Sequence, residues 1–125
     1  MVMRLRIRGE RGFTILEIMV VIAIIGILSL ISIIQFSKYR ERSLSSAVET
    51  DLRNAATAQE AYFTDQQTYC NAIGGLAVSP YGLSISEGVN LRVASATAAG
   101  YTMIAYHTNS TTTFTLVGPG GSIRP

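Results

Sequence analysis

Tryptophan is absent from the 125-residue chain, cysteine occurs once, at Cys70, and histidine once, at His107. A lone cysteine excludes an intramolecular disulfide, so a domain of this size must be held by packing or by neighbours in an assembly. A lone histidine with no cysteine near it in sequence gives no zinc ligand set and no Ser/His/Asp arrangement. No Gly-rich phosphate loop follows a strand, and no Cys-x-x-Cys-His haem motif is present. The expectation is therefore no enzyme, no metal and no cofactor. Proline is scarce as well. None of the three precedes Pro80, and Gly26 is the only glycine between Phe13 and Tyr69, so nothing breaks a helix over some fifty residues. Charged residues make up only 14% of the chain against 48% hydrophobic ones, which excludes a disordered polyelectrolyte.

The few charges are unevenly placed. Residues 1–12 hold Arg4, Arg6, Arg8 and Arg11 against Glu10, a net of +3, whereas the whole chain carries +2. Residues 13–125 are thus slightly acidic, with six Lys/Arg against seven Asp/Glu, and a nucleic-acid partner is not expected. The apolar residues are uneven too. They crowd the first third of the chain, and Thr, Ser, Ala and Gly dominate the last.

From Ile18 to Ser37 the chain runs 20 residues without a charge. As a helix this covers roughly 30 Å, the thickness of a bilayer's hydrocarbon core, and predicts a membrane span. The four leading arginines predict N-in, C-out insertion, a bias weakened by Lys38, Arg40 and Arg42 and partly restored by Glu41. No Ala-x-Ala cleavage site follows the run, which is unlike an ordinary secretory signal. The informative residues precede it: Arg11-Gly12-Phe13-Thr14-Ile15-Leu16-Glu17. Glu17 is an acid among apolar neighbours. An ionisable group within a membrane helix is a functional candidate by default, although near the helix start it can also snorkel to the interface.

This order of a basic residue, Gly, Phe, Thr, two aliphatics and Glu ahead of an unbroken apolar run resembles the signal of the type IV prepilins. The resemblance extends to about Leu52, and the segment from Ser46 to Asn54 is similar to short type IVa pilins of metal-reducing bacteria. It implies cleavage after Gly12 by a prepilin peptidase, N-methylation of Phe13, and pairing of a neighbouring subunit's Phe13 amine with Glu17 in an apolar filament core. Such a pair would set axial register more than stability. The expected organisation is a cleaved leader (1–12), a transmembrane or filament-core helix (13–37), an amphipathic helix half (38–65) and a small β-rich head (66–125).

Leu44, Val48, Leu52, Ala55, Gln59 and Tyr62/Phe63 recur at spacings of three or four. They predict an apolar stripe on one helix running from about Thr14 to Thr64, on the order of 75 Å long. Pilins commonly carry a proline late in the apolar half; here Ile34 precedes Gln35-Phe36. The usual kink is then missing, and Gly26, with Ser29 and Ser32 nearby, is the expected point of flexibility. Beyond Gln66, alternating runs at Val89–Val93, Tyr101–His107 and Phe114–Leu116 predict short antiparallel strands. The connections fall at Glu87-Gly88, Ala99-Gly100 and Asn109-Ser110, with Tyr81-Gly82-Leu83 as a further edge strand. Gly118–Pro125 reads as a loose, flexible tail. The fold class is α+β: a long N-terminal helix packed on a small antiparallel sheet, the pilin lollipop.

His107 is expected on a strand surface and Cys70 as a free or half-buried thiol in a loop. Thr111-Thr112-Thr113 reads as a polar turn that offers hydroxyls for sugar. Phe13, Phe36, Tyr39, Tyr62, Phe63 and Tyr69 account for six of the ten aromatics and are expected to pack helix to helix and helix to sheet. A sharper hypothesis is that they assist electron transport along a filament. The function implied is a structural subunit of a type IV pilus, with the inner membrane, a prepilin peptidase, assembly machinery with separate ATPases and further copies of itself as partners. The alternatives are a pseudopilin of a type II secretion system, a minor pilin, or a tethered module that never polymerises. Against a calcium-binding pseudopilin, the head after Tyr62 has only Asp65 and Glu87 as acids.

Overall fold

The computed structural model describes residues 12–125. The expected leader, with its four arginines, lies outside the described residues up to Arg11. Helix α1 (Ile15–Gln66) begins where the motif predicts and runs 52 residues without interruption at Gly26 or Ile34. A short helix α2 (Ile73–Ala77) follows. Strands β1 (Val89–Ala96), β2 (Tyr101–His107), β3 (Thr113–Gly118) and β4 (Ile123–Arg124) form an antiparallel meander in the order β1-β2-β3-β4.

The chain divides into two units, residues 1–37 and 38–125. In the first, every described residue is exposed, including Ile15, Leu16, Met19, Ile22 and Ile27. Ser29, Ser32 and Ser37 donate their hydroxyls to helix carbonyls one turn back, so these polar side chains are satisfied without water. The segment is long and apolar enough to cross a membrane.

The second unit holds the core. Its portion of α1 buries Val48, Leu52, Ala55 and Gln59 of the expected stripe, with Asp51 and Ala58 beside them, while Leu44, Tyr62 and Phe63 are half-buried. Facing positions come from alternate strand residues: Tyr101, Met103, Ala105 and His107 on β2, and Phe114, Leu116 and Gly118 on β3. Antiparallel register sets Met103 opposite Leu116, Ala105 opposite Phe114, and Tyr101 opposite Gly118, so all share one face. The Tyr101–Gly118 pair is a size match, since a Cβ on Gly118 would fall on the Tyr101 ring. Leu52, Leu76, Met103 and Val48 are the largest apolar side chains fully removed from solvent. Each contributes about 1.5–3 kcal/mol of transfer free energy.

Four expectations for this unit are corrected. The end of the chain is not a loose tail: β4 pairs Ile123 with Leu116 and Arg124 with Thr115, and Ile123 packs on the core. The Gly and Pro residues that read as flexibility build the turn. Gly120 has φ +72°, and a Cβ on Gly121 would collide with the Val117 carbonyl. Tyr81-Gly82-Leu83 is not an edge strand either. The Leu83 N–H donates to Leu76 O at 2.9 Å and Gly82 has φ +58°, so the segment folds back on α2 instead of joining the sheet. Glu87-Gly88 turns the chain into β1 and does not join two strands, whereas Ala99-Gly100 and Asn109-Ser110 do. His107 is not a surface residue: it is buried at 7% exposure. Its ring covers Gly88, where a Cβ would meet Nε2 at 2.6 Å, and its Nδ1 accepts the Asn109 N–H at 3.0 Å.

Candidate functional site: the head of helix α1

Gly12, Phe13 and Thr14 precede the first turn of α1 and are exposed, Phe13 at 85%. Chain neighbours aside, no atom of the described residues lies within 4 Å of where a Gly12 Cβ would stand. Thr14 caps the helix. Its Oγ1 accepts the Glu17 N–H at 3.2 Å, and Glu17 Oε2 accepts the Thr14 N–H at 2.9 Å and the Thr14 hydroxyl at 3.1 Å. This reciprocal capping box fixes the carboxylate at the positive end of the helix dipole. Sequence reading singled out Glu17 and missed its partner, although Thr-x-x-Glu ahead of an apolar run is the pattern of such a box. One carboxylate oxygen does all this work. Glu17 Oε1 accepts no hydrogen bond among the described residues.

Gly26 lies within α1 with nothing within 4 Å of a Cβ position, a smooth gap in an otherwise bulky apolar surface. The six aromatics separate into two sets. Phe13, just before α1, and Phe36 and Tyr39 on it are exposed. Tyr62, Phe63 and Tyr69 are in the head: Tyr62 packs on Tyr81 at 5.1 Å between centroids, and Phe63 stacks on Tyr69 at 4.7 Å. Tyr69 also meets Tyr101 at 4.7 Å, an aromatic partner the sequence reading did not list. Tyr69 donates its hydroxyl to Glu60, and burial together with the Glu60 carboxylate pushes Tyr101 up to about 12.

Two buried polar residues on α1 also escaped the sequence reading. Asp51 accepts the Ser86 N–H at 2.8 Å and its hydroxyl at 3.1 Å. Gln59, counted there as part of the apolar stripe, grips the backbone of Cys70 with two 2.8 Å bonds, Nε2 to the carbonyl and Oε1 from the N–H. Cys70 is a buried free thiol. No group of three or more His, Cys, Asp or Glu side chains is placed to hold a metal among the described residues.

The family model described as the prokaryotic N-terminal methylation motif matches residues 7–33, the segment that holds Gly12, Phe13, the capping box and Gly26. Over 81 residues the chain is 38% identical to the type IV major pilin protein PilA of Myxococcus xanthus (strain DK1622), covering 61% of this chain. Over that segment the chain is similar to a type IV pilin. It spans little more than a third of that relative, 37% of its length. The matched segment runs into the exposed start of α1, and the rest of the chain supplies the remainder of that helix, the single turn of α2 and four short strands.

Proposed function

We propose that the protein is the structural subunit of a type IV pilus. It is made as an inner-membrane precursor, N-in and C-out, and cleaved after Gly12 by a prepilin peptidase. Phe13 is then N-methylated, and the chain is polymerised by a membrane machine with separate ATPases. It has no catalytic role of its own. Residues 1–12 are the leader, 13–37 the filament core, 38–65 the amphipathic half and 66–125 the exposed head. The observation that carries the reading is the geometry of Glu17: an acid held by Thr14 through one oxygen, the other accepting no hydrogen bond among the described residues, at the start of an apolar stretch exposed from Ile15 to Ser37. Cleavage would create a cationic amine on Phe13. A neighbouring subunit's amine would meet the free oxygen of Glu17 and leave no unpaired charge in the apolar core, and this fixes register between subunits. Gly26 gives the packed helices a place to bend.

Intact mass and N-terminal sequencing of sheared cell-surface material test this. A chain starting at N-methylated Phe13 is expected in sheared filaments. The Glu17→Ala variant is expected to accumulate, cleaved, in the envelope without filaments. An intact Met1 terminus in a cell with an active prepilin peptidase, or normal filaments from Glu17→Ala, overturns the reading.

A further inference from the structure

Carboxylates in the second unit are largely taken up by hydroxyl and amide donors. Glu41 accepts from Ser110 and Thr112, Asp51 from Ser86, Glu60 from Tyr69 and Asp65 from Tyr81. The one ion pair among the described residues is Arg53–Glu49 at 3.6 Å. Lys38, Arg40 and Arg42 are exposed and meet no carboxylate within ion-pair distance among the described residues. They follow directly on the 20-residue uncharged run and interleave with Tyr39, itself 68% exposed. Lys38 and Arg42 are one helical turn apart and line a single open groove with Ser45 and Ser46. Glu41 and Glu49 also line it, but each is engaged elsewhere, with the β2–β3 loop and with Arg53. Arg40, two residues from each, projects from the other side of the helix.

We propose that Lys38, Arg40 and Arg42 form a binding site for the phosphate headgroups of anionic phospholipid, in the leaflet next to the head. Lys38 and Arg42 close on one headgroup in the groove with the Ser45 and Ser46 hydroxyls, and Arg40 takes a second. The proposal rests on the reading of α1 as membrane-spanning. Three features favour lipid over a soluble anion: the cations begin directly after the apolar run, Tyr39 has the amphipathic character of an interfacial aromatic, and the cations meet no carboxylate among the described residues. The contact fixes the depth of α1 in the bilayer and has to break when the subunit leaves for a filament. Each cation at an anionic surface is worth about a fivefold gain in binding, and three together on the order of a hundredfold.

Lys38 is the only lysine in the chain, so 15Nζ-lysine labelling gives one side-chain probe at this site. The full chain is reconstituted into phosphatidylglycerol or phosphatidylcholine bilayers, and 15N–31P dipolar dephasing reads the distance from the ammonium to lipid phosphorus. Dephasing that places phosphorus within about 4 Å, stronger in phosphatidylglycerol and weakened by salt, is expected. Arg42→Gln is expected to lower the phosphatidylglycerol preference about fivefold, and Arg42→Lys to retain it. No dephasing in an inserted chain, or dephasing equal in the two lipids and indifferent to Arg42→Gln, overturns the site. Insertion is read separately: extraction of the chain by alkaline carbonate would sink the spanning reading itself.

Discussion

Gln59 provides the most direct test of how the head is held on the helix. Its side chain is fully buried, and its amide makes two 2.8 Å bonds to the backbone of Cys70, eleven residues away. Gln59→Ala strands one N–H and one C=O in an apolar site, each costing about 1–3 kcal/mol. The void left by the missing amide adds on the order of 1 kcal/mol, for a total of about 3–7 kcal/mol. That is a large share of the roughly 5–15 kcal/mol by which a domain is ordinarily stable. Gln59→Glu keeps the volume and the acceptor for the Cys70 N–H, but places a carboxylate oxygen against the Cys70 carbonyl. Its folded-state pKa is then raised, so stability should be recovered as pH falls and the new carboxyl protonates to donate a hydrogen bond. Guanidinium unfolding of the full chain in detergent, followed by near-ultraviolet circular dichroism of the tyrosines, measures both. The Ala variant should lower the midpoint by about 1 M or more. A loss below about 1 kcal/mol, or a Glu variant indifferent to pH between neutral and acid, would refute the clamp as an energetic element.

Gly118→Ala sets a methyl group on the Tyr101 ring and should cost about 1–3 kcal/mol in the same unfolding assay, with loss of the near-ultraviolet tyrosine signal. Tyr101 should titrate last among the tyrosines, near 12, because burial and then the Glu60 carboxylate disfavour its phenolate. Its pKa is raised above that of the unfolded chain, so its contribution is complete below about pH 10 and fades as pH climbs toward 12. Tyr101→Phe should remove that late phase from the absorbance titration; its persistence would assign the phase elsewhere. Cys70, buried and without a disulfide, should resist a maleimide reagent in the folded chain and react on unfolding. Rapid labelling under native conditions would contradict the burial of this loop.

The apolar run, the motif and the three-and-four spacing were legible in sequence because they are local. Charge-free helix length, the order of the motif and helical period need only residues a few positions apart. Strands were found at Val89–Val93, Tyr101–His107 and Phe114–Leu116 for the same reason, as period two is local as well, and the structure extends the first to Ala96 and the last to Thr113–Gly118. Helix α2 was missed because its sequence, Ile-Gly-Gly-Leu-Ala, has poor intrinsic propensity. It exists because Leu76 is buried, and Gly75 admits the Cys70 sulfur, which would stand 2.5 Å from a Cβ. The terminal hairpin was misread because Gly and Pro mark a tight turn and a flexible tail with the same letters.

The sequence by itself determined the membrane-length helix, the Gly12-Phe13 junction with its acid four residues on, and an α+β class. All three are written in neighbouring residues and in the bilayer's fixed thickness. Tertiary structure alone decided that Gln59 within the stripe clamps the Cys70 backbone, that His107 is buried over Gly88, and that Tyr101 joins the Phe63–Tyr69 stack. It also decided that Glu41 turns to Ser110 and leaves Lys38, Arg40 and Arg42 without a carboxylate partner among the described residues. Those choices join positions 11 to 69 residues apart. No local periodicity carries such pairings; they are settled only when the sheet closes on the helix and each buried polar group must find a partner.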